Sequence, residues 1–361
     1  MKPPVEAIIV GQGLAGTALA WSLAQRGIRF VVIDNELPNT SSRIAAGLVT
    51  PVTGKRAVMS WAWKEAWGVA QQYYPEIESI TKVPFWSVQP SLRLYETEIE
   101  RTVIEARLPN YSSELITPYA PINDTLGMQP FDQTLGGFVM KTSARLDAAT
   151  YLNASREAFQ KQNAYQSMAV DTQNDIEVRG ETIRIPKLDI EGRKIIFCQG
   201  HVEDQNPWFP NLPLGPAQGD ILTLDIPGLQ ESRTIHRGIW ITPVFNQVSN
   251  LTTSHFLVGS TYRWRPLDGL PSLAGRDEII SKLKRWLKIP FEVVDHRAAI
   301  RPASFDQRPL LGPSLLNPNV WVFNGLGAKG ALLAPWCARQ LVDILFDGMD
   351  IQKVLRWDRR R

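Results

Sequence analysis

The first 34 residues constrain this chain more than any other stretch. An apolar run, Glu6 to Val10, leads into Gly11-Gln12-Gly13-Leu14-Ala15-Gly16. Helical composition follows through Gln25, Gly27 is placed as a C-terminal cap, and the β-branched run Ile28 to Ile33 ends on Asp34. That is a strand–turn–helix–strand unit, and its glycines have separate tasks. Gly11 lets the chain leave the strand sharply, Gly13 admits a pyrophosphate close to the backbone, and Gly16 lets helix and strand pack. The helix start then offers unpaired N–H groups and a positive dipole end to an anion. Asp34, with Asn35 beside it, stands where a carboxylate accepts hydrogen bonds from ribose hydroxyls and repels a 2′-phosphate. These residues predict a bound dinucleotide without separating NAD from FAD.

At 361 residues the chain exceeds one ordinary domain, and two domains are expected. Charged residues are 21% and the net charge is +3, so composition by itself points to neither a nucleic-acid groove nor a membrane surface. The basic tail, Arg356 to Arg361, reads as a solvated terminus. No uncharged apolar run reaches the roughly 18 residues of a membrane helix. The two cysteines, Cys198 and Cys337, sit in separate apolar segments without paired spacing, so a reducing, cytoplasmic setting is expected. His201, His236, His255 and His296 are dispersed, so no metal site is expected. Ser281-Lys282-Leu283-Lys284 matches a serine-hydrolase pattern formally but lies in a basic amphipathic helix without companion motifs.

Further along, Thr40 to Arg56 is rich in Ser, Thr and Gly and reads as a loop, while Trp61 to Tyr74 and Leu146 to Gln160 are helical. Lys194 to Phe197 is a buried strand ending near Gly200. Strand-like runs occur at Ser91 to Tyr95, Asp220 to Leu224, Gly238 to Val244 and Phe256 to Gly259. Asn319 to Phe323 is a strand, Asn324 to Gly330 a glycine-rich turn, and Ala331 to Phe346 a helix. The expected class is α/β: a Rossmann-like domain from residues 1–83, 141–216 and 297–361, interleaved with an α+β domain from 84–140 and 217–296 that carries a mostly antiparallel sheet.

Four segments in register resemble the D-amino-acid oxidase family of FAD enzymes, which includes glycine oxidase, monomeric sarcosine oxidase and the flavin half of a bifunctional tRNA-modifying enzyme. They are Ile8 to Gly16, Ser41 to Gly47, Ala299-Ile300-Arg301-Pro302, and Asn324 to Pro335. The resemblance implies noncovalent FAD, since neither cysteine stands where sarcosine-oxidase-like proteins attach the ring. It places Ser41, Ser42, Arg43, Ala45, Ala46, Gly47 and Leu48 along pyrophosphate and flavin, and backbone at Met168 and Val170 on the adenine. Gly200 and Gly325-Leu326-Gly327-Ala328-Lys329-Gly330 complete the expected cofactor site.

By the same resemblance, an amine is oxidised by hydride transfer to flavin N5 and the imine hydrolyses in water, with dioxygen or another acceptor reoxidising the flavin. Arg301 would grip a substrate carboxylate with two parallel hydrogen bonds; an ordinary surface ion pair is the plain alternative. Lys329 would be a second carboxylate contact or an aid to oxygen, or a solvent-facing lysine. Trp240 stands where glycine oxidase has a substrate-contacting tyrosine, and losing that hydroxyl favours a bulkier or aromatic substrate; a core role is equally open. Tyr262 and His296 are secondary candidates, each as readily structural. A small amine or amino acid is the expected substrate, with a carboxymethylaminomethyl-type wobble uridine of tRNA as the alternative. A flavin-binding protein without turnover stays open.

Overall fold

The computed structural model describes residues 3–122, 129–244 and 254–359. Five strands form a parallel sheet in the order Tyr165–Ser167, Phe30–Asp34, Val5–Val10, Ile190–Phe197, Val320–Asn324. The first strand alternates between two cores, which is why it reads as unbroken apolar sequence. Ala7 and Ile9 join Leu19, Tyr74, Tyr151 and Leu341 beneath the helices on one face. Ile8 and Val10 join Val31, Phe197, Phe209 and Trp357 on the other. Helices Leu14–Gln25, Ala148–Lys161 and Gly330–Asp347 each return the chain to the start of a strand or close the layer. Arg26 ties the first helix to the last through Asp343 and Asp347.

The second sheet has eight strands in the order Glu292–Arg301, Ala217–Asp225, His255–Gly259, Ile239–Pro243, Ile235–Arg237, Ser91–Leu94, Gly137–Met140, Ile116–Tyr119. It is antiparallel except where Ile235 and His236 run parallel to Leu92 and Arg93. Helix Leu273–Lys284 covers one face, packing Ile279 and Leu283 on Leu222, Leu224, Ile241 and Val258. Side chains alternate across a strand, so Gly219, Ile221, Trp240, Gly259 and Arg301 share the other face. A small sheet of Leu48–Val49, Ala144–Leu146 and Trp86–Val88 lies between the two large ones in sequence.

The strand Glu292–Arg301 runs through residue 297, and its ladder with residues 217–221 keeps one register from Arg297 to Arg301. Three expectations change. Thr40 to Arg56 is more than a loop, because Thr40 caps a short helix, Ser41–Ile44, and Val52–Thr53 pairs with Val58–Met59. The helix expected to end at Tyr74 spans Trp63–Thr81 through Pro75. Pro75 and Gln71, whose carbonyl the proline leaves without its i+4 helical donor, are both on the exposed face, open to solvent. Finally, the tail is docked as far as it is described, residues 360 and 361 lying outside. Trp357 is buried, and Arg359 donates to both Asp306 oxygens at 2.6 and 2.9 Å.

That tail contact has a pH signature. The Arg359 guanidinium holds the Asp306 carboxyl well below its ordinary 3.8, at about 2. A depressed carboxyl stabilises the folded state above its unfolded pKa, and the gain disappears as pH falls from about 4 to about 2. Arg359→Met is expected to lower Tm by about 2 °C at pH 6, corresponding to about 1 kcal/mol for a partly screened pair, and by less as the pH approaches 2. Thermal unfolding followed by circular dichroism across pH 2 to 6 measures this. A Tm deficit that stays constant with pH would count against the ion pair as its source.

Candidate active site

The glycine turn is held by its missing side chains. Gly11 sits at φ +105°, its N–H donating to the Ile33 carbonyl at 2.8 Å, and a Cβ there would lie 2.5 Å from the Cys198 carbonyl oxygen. A Cβ at Gly16 would strike the Gly11 carbonyl, and one at Gly13 would lie 3.0 Å from Ser42 Oγ. Leu14 N donates to that same Oγ at 3.1 Å, which binds the Ser41–Ile44 helix to the start of the first one. Leu14 and Ala15 are buried in its first turn.

Asp34 closes the turn from the neighbouring strand. Its Oδ2 accepts from Gln12 N at 2.6 Å and its Oδ1 from Glu36 N at 2.8 Å. Asn35 between them is exposed. Met168 N donates to the Asp34 carbonyl at 2.9 Å, and Met168 and Val170 pack on the Ile8 core. Arg156, from the helix Ala148–Lys161, approaches Asp34 and Glu36 at 3.7 Å each and donates to Gln12 Oε1 at 2.9 Å. Arg43 donates to Asn153 at 2.8 Å, but its second Nη is buried without a hydrogen-bond partner. Burial and the positive charge of Arg156 lower its pKa. A glycine cradle at a helix start, a strand-end acid and a half-buried arginine with one unpaired Nη suit a dinucleotide diphosphate, and they fit FAD.

Beyond Ala45 and Ala46, Gly47 adopts φ +68°, where a Cβ would run into the Leu146 carbonyl, and Leu48 pairs with Arg145. Arg145, a buried residue that sequence reading missed, donates from Nε to the Ala46 carbonyl at 3.2 Å and from Nη1 to the Pro243 carbonyl. It joins this loop to the roof sheet, and burial lowers its pKa to about 10. Gly200, at φ +67°, accepts from Asn324 Nδ2 at 2.8 Å. Gly325 and Gly327 also have positive φ, Leu326 is buried and Ala328 exposed. Gly330 opens the last helix against Leu14, whose Cδ1 would be 2.8 Å from a Cβ there. Two helix starts therefore meet, both presenting positive dipole ends.

Arg301 extends from the roof. Its guanidinium lies over Gly219, where a Cβ would displace it, donates to Ser260 Oγ at 2.8 Å and to the Thr261 carbonyl at 3.3 Å, and stands 4.3 Å from the Tyr262 ring centroid. Burial lowers its pKa, and no carboxylate forms an ion pair with it among the described residues. Trp240 lies on the same face across Gly259, with Cζ2 3.0 Å from the place of a Cβ. Lys329 caps the last helix with Nζ 3.4 Å from both Thr53 Oγ1 and Ser60 Oγ, and burial lowers its pKa as well. Gly327 N donates to the Pro302 carbonyl at 3.2 Å, so the turn carrying Lys329 is bonded to the residue after Arg301. His296 is not brought to this group. It points to the opposite face, its Nε2 2.9 Å from Asp220 Oδ1, and the same oxygen accepts from Ser272 N at the start of the covering helix.

The family model for FAD-dependent oxidoreductases of the DAO family matches residues 6–344. The chain belongs to that family. It is an FAD-dependent oxidoreductase. Over 95% of its length it is 23% identical to the tRNA 5-methylaminomethyl-2-thiouridine biosynthesis bifunctional protein of Psychrobacter cryohalolentis, of which the match covers 53%. It is 22% identical over 94% of its length to the bifunctional protein ThiO/ThiG of a Nostoc species, covering 52% of that protein. The chain thus spans about half the length of these curated relatives. Glycine oxidase from Geobacillus kaustophilus shares the fold with a TM-score of 0.78 at 18% identity, over 96% of each chain. Iminodiacetate oxidase from Chelativorans does so with a TM-score of 0.75 at 18% identity, over 97% of this chain and 99% of that one. No helix among the described residues is long and apolar enough to cross a membrane, and no cluster of metal-ligating residues occurs among them.

Gly47→Ala tests the cradle. It forces a side chain into a left-handed residue pressed on backbone, so a loss of stability above about 1 kcal/mol is expected, together with most of the bound flavin. The ratio of absorbance at 450 nm to that at 280 nm, with Tm, reads both. A variant that is fully yellow and fully stable would show that the close approach at Leu146 is not required.

Proposed function

We propose that this protein oxidises the C–N bond of a carboxylate-bearing amine or amino acid, with dioxygen as the final electron acceptor. The observation that carries the reading is the Arg301 guanidinium: half-buried, fixed by Ser260 and Thr261, and without an ion-paired acid among the described residues. A partly desolvated cation with spare N–H donors selects an anion, and a planar fork selects a carboxylate. Bound FAD supplies the hydride acceptor at N5. Arg301 and Lys329 would hold and orient the substrate's carboxylate. Trp240 covers the site with apolar surface in place of a polar contact, which favours substrates larger than glycine. The start of the Gly330–Asp347 helix, with its positive dipole end, would favour a negatively charged group placed beside it. The substrate gives up two electrons and a proton as hydride, the resulting imine takes up water to release a carbonyl compound and an amine, and dioxygen takes the electrons as peroxide.

A second reading rests on the match to the tRNA-modifying bifunctional protein along 95% of this chain. In it, the amine is carried on a wobble uridine of tRNA. Binding that weakens steeply with salt is required there, and its absence at low salt would end that reading.

Anaerobic mixing of the yellow protein with D-amino acids, N-methyl amino acids and aromatic amines is expected to bleach the flavin with at least one class, and air should restore the colour while producing peroxide. Arg301→Ala is expected to reduce kcat/KM for a carboxylate substrate by about 100-fold, mostly through KM. Unchanged kinetics would remove Arg301 from the site, and a flavin that no amine bleaches would sink the oxidation itself.

A further inference from the structure

Resting on the proposed carboxylate role of Arg301, we infer that Asp220 is a positioning residue for that guanidinium, acting through Thr261 from the helix-covered face of the roof sheet. Thr261 is buried and bonded in both directions. Its Oγ1 donates to Asp220 Oδ2 and accepts from Asp220 N, both at 2.9 Å. Its carbonyl accepts from Arg301 Nη1 at 3.3 Å, and the Oγ of Ser260, one residue earlier, accepts from Arg301 Nη2 at 2.8 Å. Both oxygens that hold the guanidinium therefore sit on one short segment, which Asp220 pins from behind. Gln218, two residues earlier on the strand of Asp220, secures the continuation of that segment separately. It exchanges two backbone hydrogen bonds of 2.8 Å with Arg263, its Oε1 accepts from Gly269 N at 2.9 Å, and its Nε2 donates to the Leu270 carbonyl at 2.7 Å. Releasing Asp220 would thus loosen the stretch beside Arg301 while the rest of the segment stays in place.

The anchor is itself immobile. Asp220 Oδ1 accepts from Ser272 N at 2.9 Å and lies 2.9 Å from His296 Nε2, and a Cβ at Gly275 would be 2.4 Å from Oδ2, so a missing side chain in the helix Leu273–Lys284 admits the carboxylate beneath it. Capping that helix does not account for both oxygens. Ser272 Oγ already accepts from Gly275 N at 3.1 Å, and Asp220 Oδ2 is spent on Thr261. The charge of Asp220 also favours the protonated form of Arg301, which places the two groups within electrostatic reach. Single hydrogen bonds to neutral oxygens hold a guanidinium weakly, so its orientation depends on how rigidly those oxygens are held. A fork fixed in advance spares an incoming carboxylate the cost of ordering it.

Phenylglyoxal labelling of the FAD-loaded protein, counted peptide by peptide with mass spectrometry, reads how firmly Arg301 is held without reference to any substrate. Arg297, exposed on the same strand, is the internal reference. Thr261→Val removes the hydroxyl at constant shape and is expected to speed labelling of Arg301 relative to Arg297 about fivefold, the factor of one lost hydrogen bond, while Thr261→Ser leaves it unchanged. Asp220→Asn is the milder change should Thr261→Val not fold: its oxygen can serve Ser272, but its amide cannot accept from Thr261, and labelling should rise in the same direction. Relative labelling that stays fixed in the folded variants, or rises equally at Arg297, overturns the positioning role. Calorimetric titration with benzoate then closes a double-mutant cycle. Thr261→Val should weaken benzoate about fivefold in the unaltered background and not at all beside Arg301→Ala; equal weakening in both backgrounds overturns the action through Arg301. The two readings fail separately: faster labelling of Arg301 in a protein whose benzoate affinity ignores Arg301→Ala supports the positioning role and removes the carboxylate one.

Discussion

The meeting of two helix starts, Gly330 against Leu14, is the contact on which the site depends. In a parallel sheet all strands deliver the chain to the same edge, and helices that follow the strands begin there. The first and last of these strands, Val5–Val10 and Val320–Asn324, are separated by Ile190–Phe197 alone, so the helices after them begin side by side. Their approach is limited by side-chain size at residue 330, where even a methyl group would press on Leu14 Cδ1 at 2.8 Å. The result is a volume bounded by unpaired N–H groups from two directions, suited to concentrated negative charge before any basic side chain is counted.

The roof is held over this volume from the side. Arg145 bonds the Ala46 carbonyl on one side and the Pro243 carbonyl on the other, and the Pro302 carbonyl receives Gly327 N. Both connections run through residues adjacent to the expected chemistry: Ala46 to Gly47, Pro302 to Arg301, Gly327 to Lys329. A shift of the roof would therefore move Arg301 and Lys329 relative to the glycine turn, and under the proposed function it would couple cofactor placement to substrate placement.

Much of this was legible in the sequence because it is local. The βαβ unit, its three glycines and Asp34 lie within 34 residues, and steric need at each glycine is expressed in residue type. What sequence reading missed depends on register between distant strands. Arg145 is an ordinary arginine until Leu48 is laid beside it. Gly219 looks like a strand-weakening residue until Arg301 is found lying across it. Arg156 becomes part of the cradle only through Gln12 and Asp34, more than a hundred positions earlier. The case of His296 is different, since its separation from Arg301 is five residues in one strand. An odd separation turns two side chains to opposite faces, so once Glu292 to Arg301 is taken as a strand, alternation alone divides the pair.

Arg301 and Lys329 share one property, a pKa lowered chiefly by burial. Core cations in stable folds are ordinarily matched by acids, because an unmatched charge taken out of water is costly. Here Asp220, the buried carboxylate of the same sheet, lies on the wrong face and is occupied by Thr261, Ser272 and His296. The fold thus hydrogen-bonds its buried acid away from the half-buried arginine, and among the described residues Arg301 donates to neutral oxygens and lies on the Tyr262 ring. An arrangement that forgoes so available an ion pair holds positive potential in reserve on the face of the roof that also carries Trp240. A carboxylate bound there, as proposed for the substrate, would recover that energy.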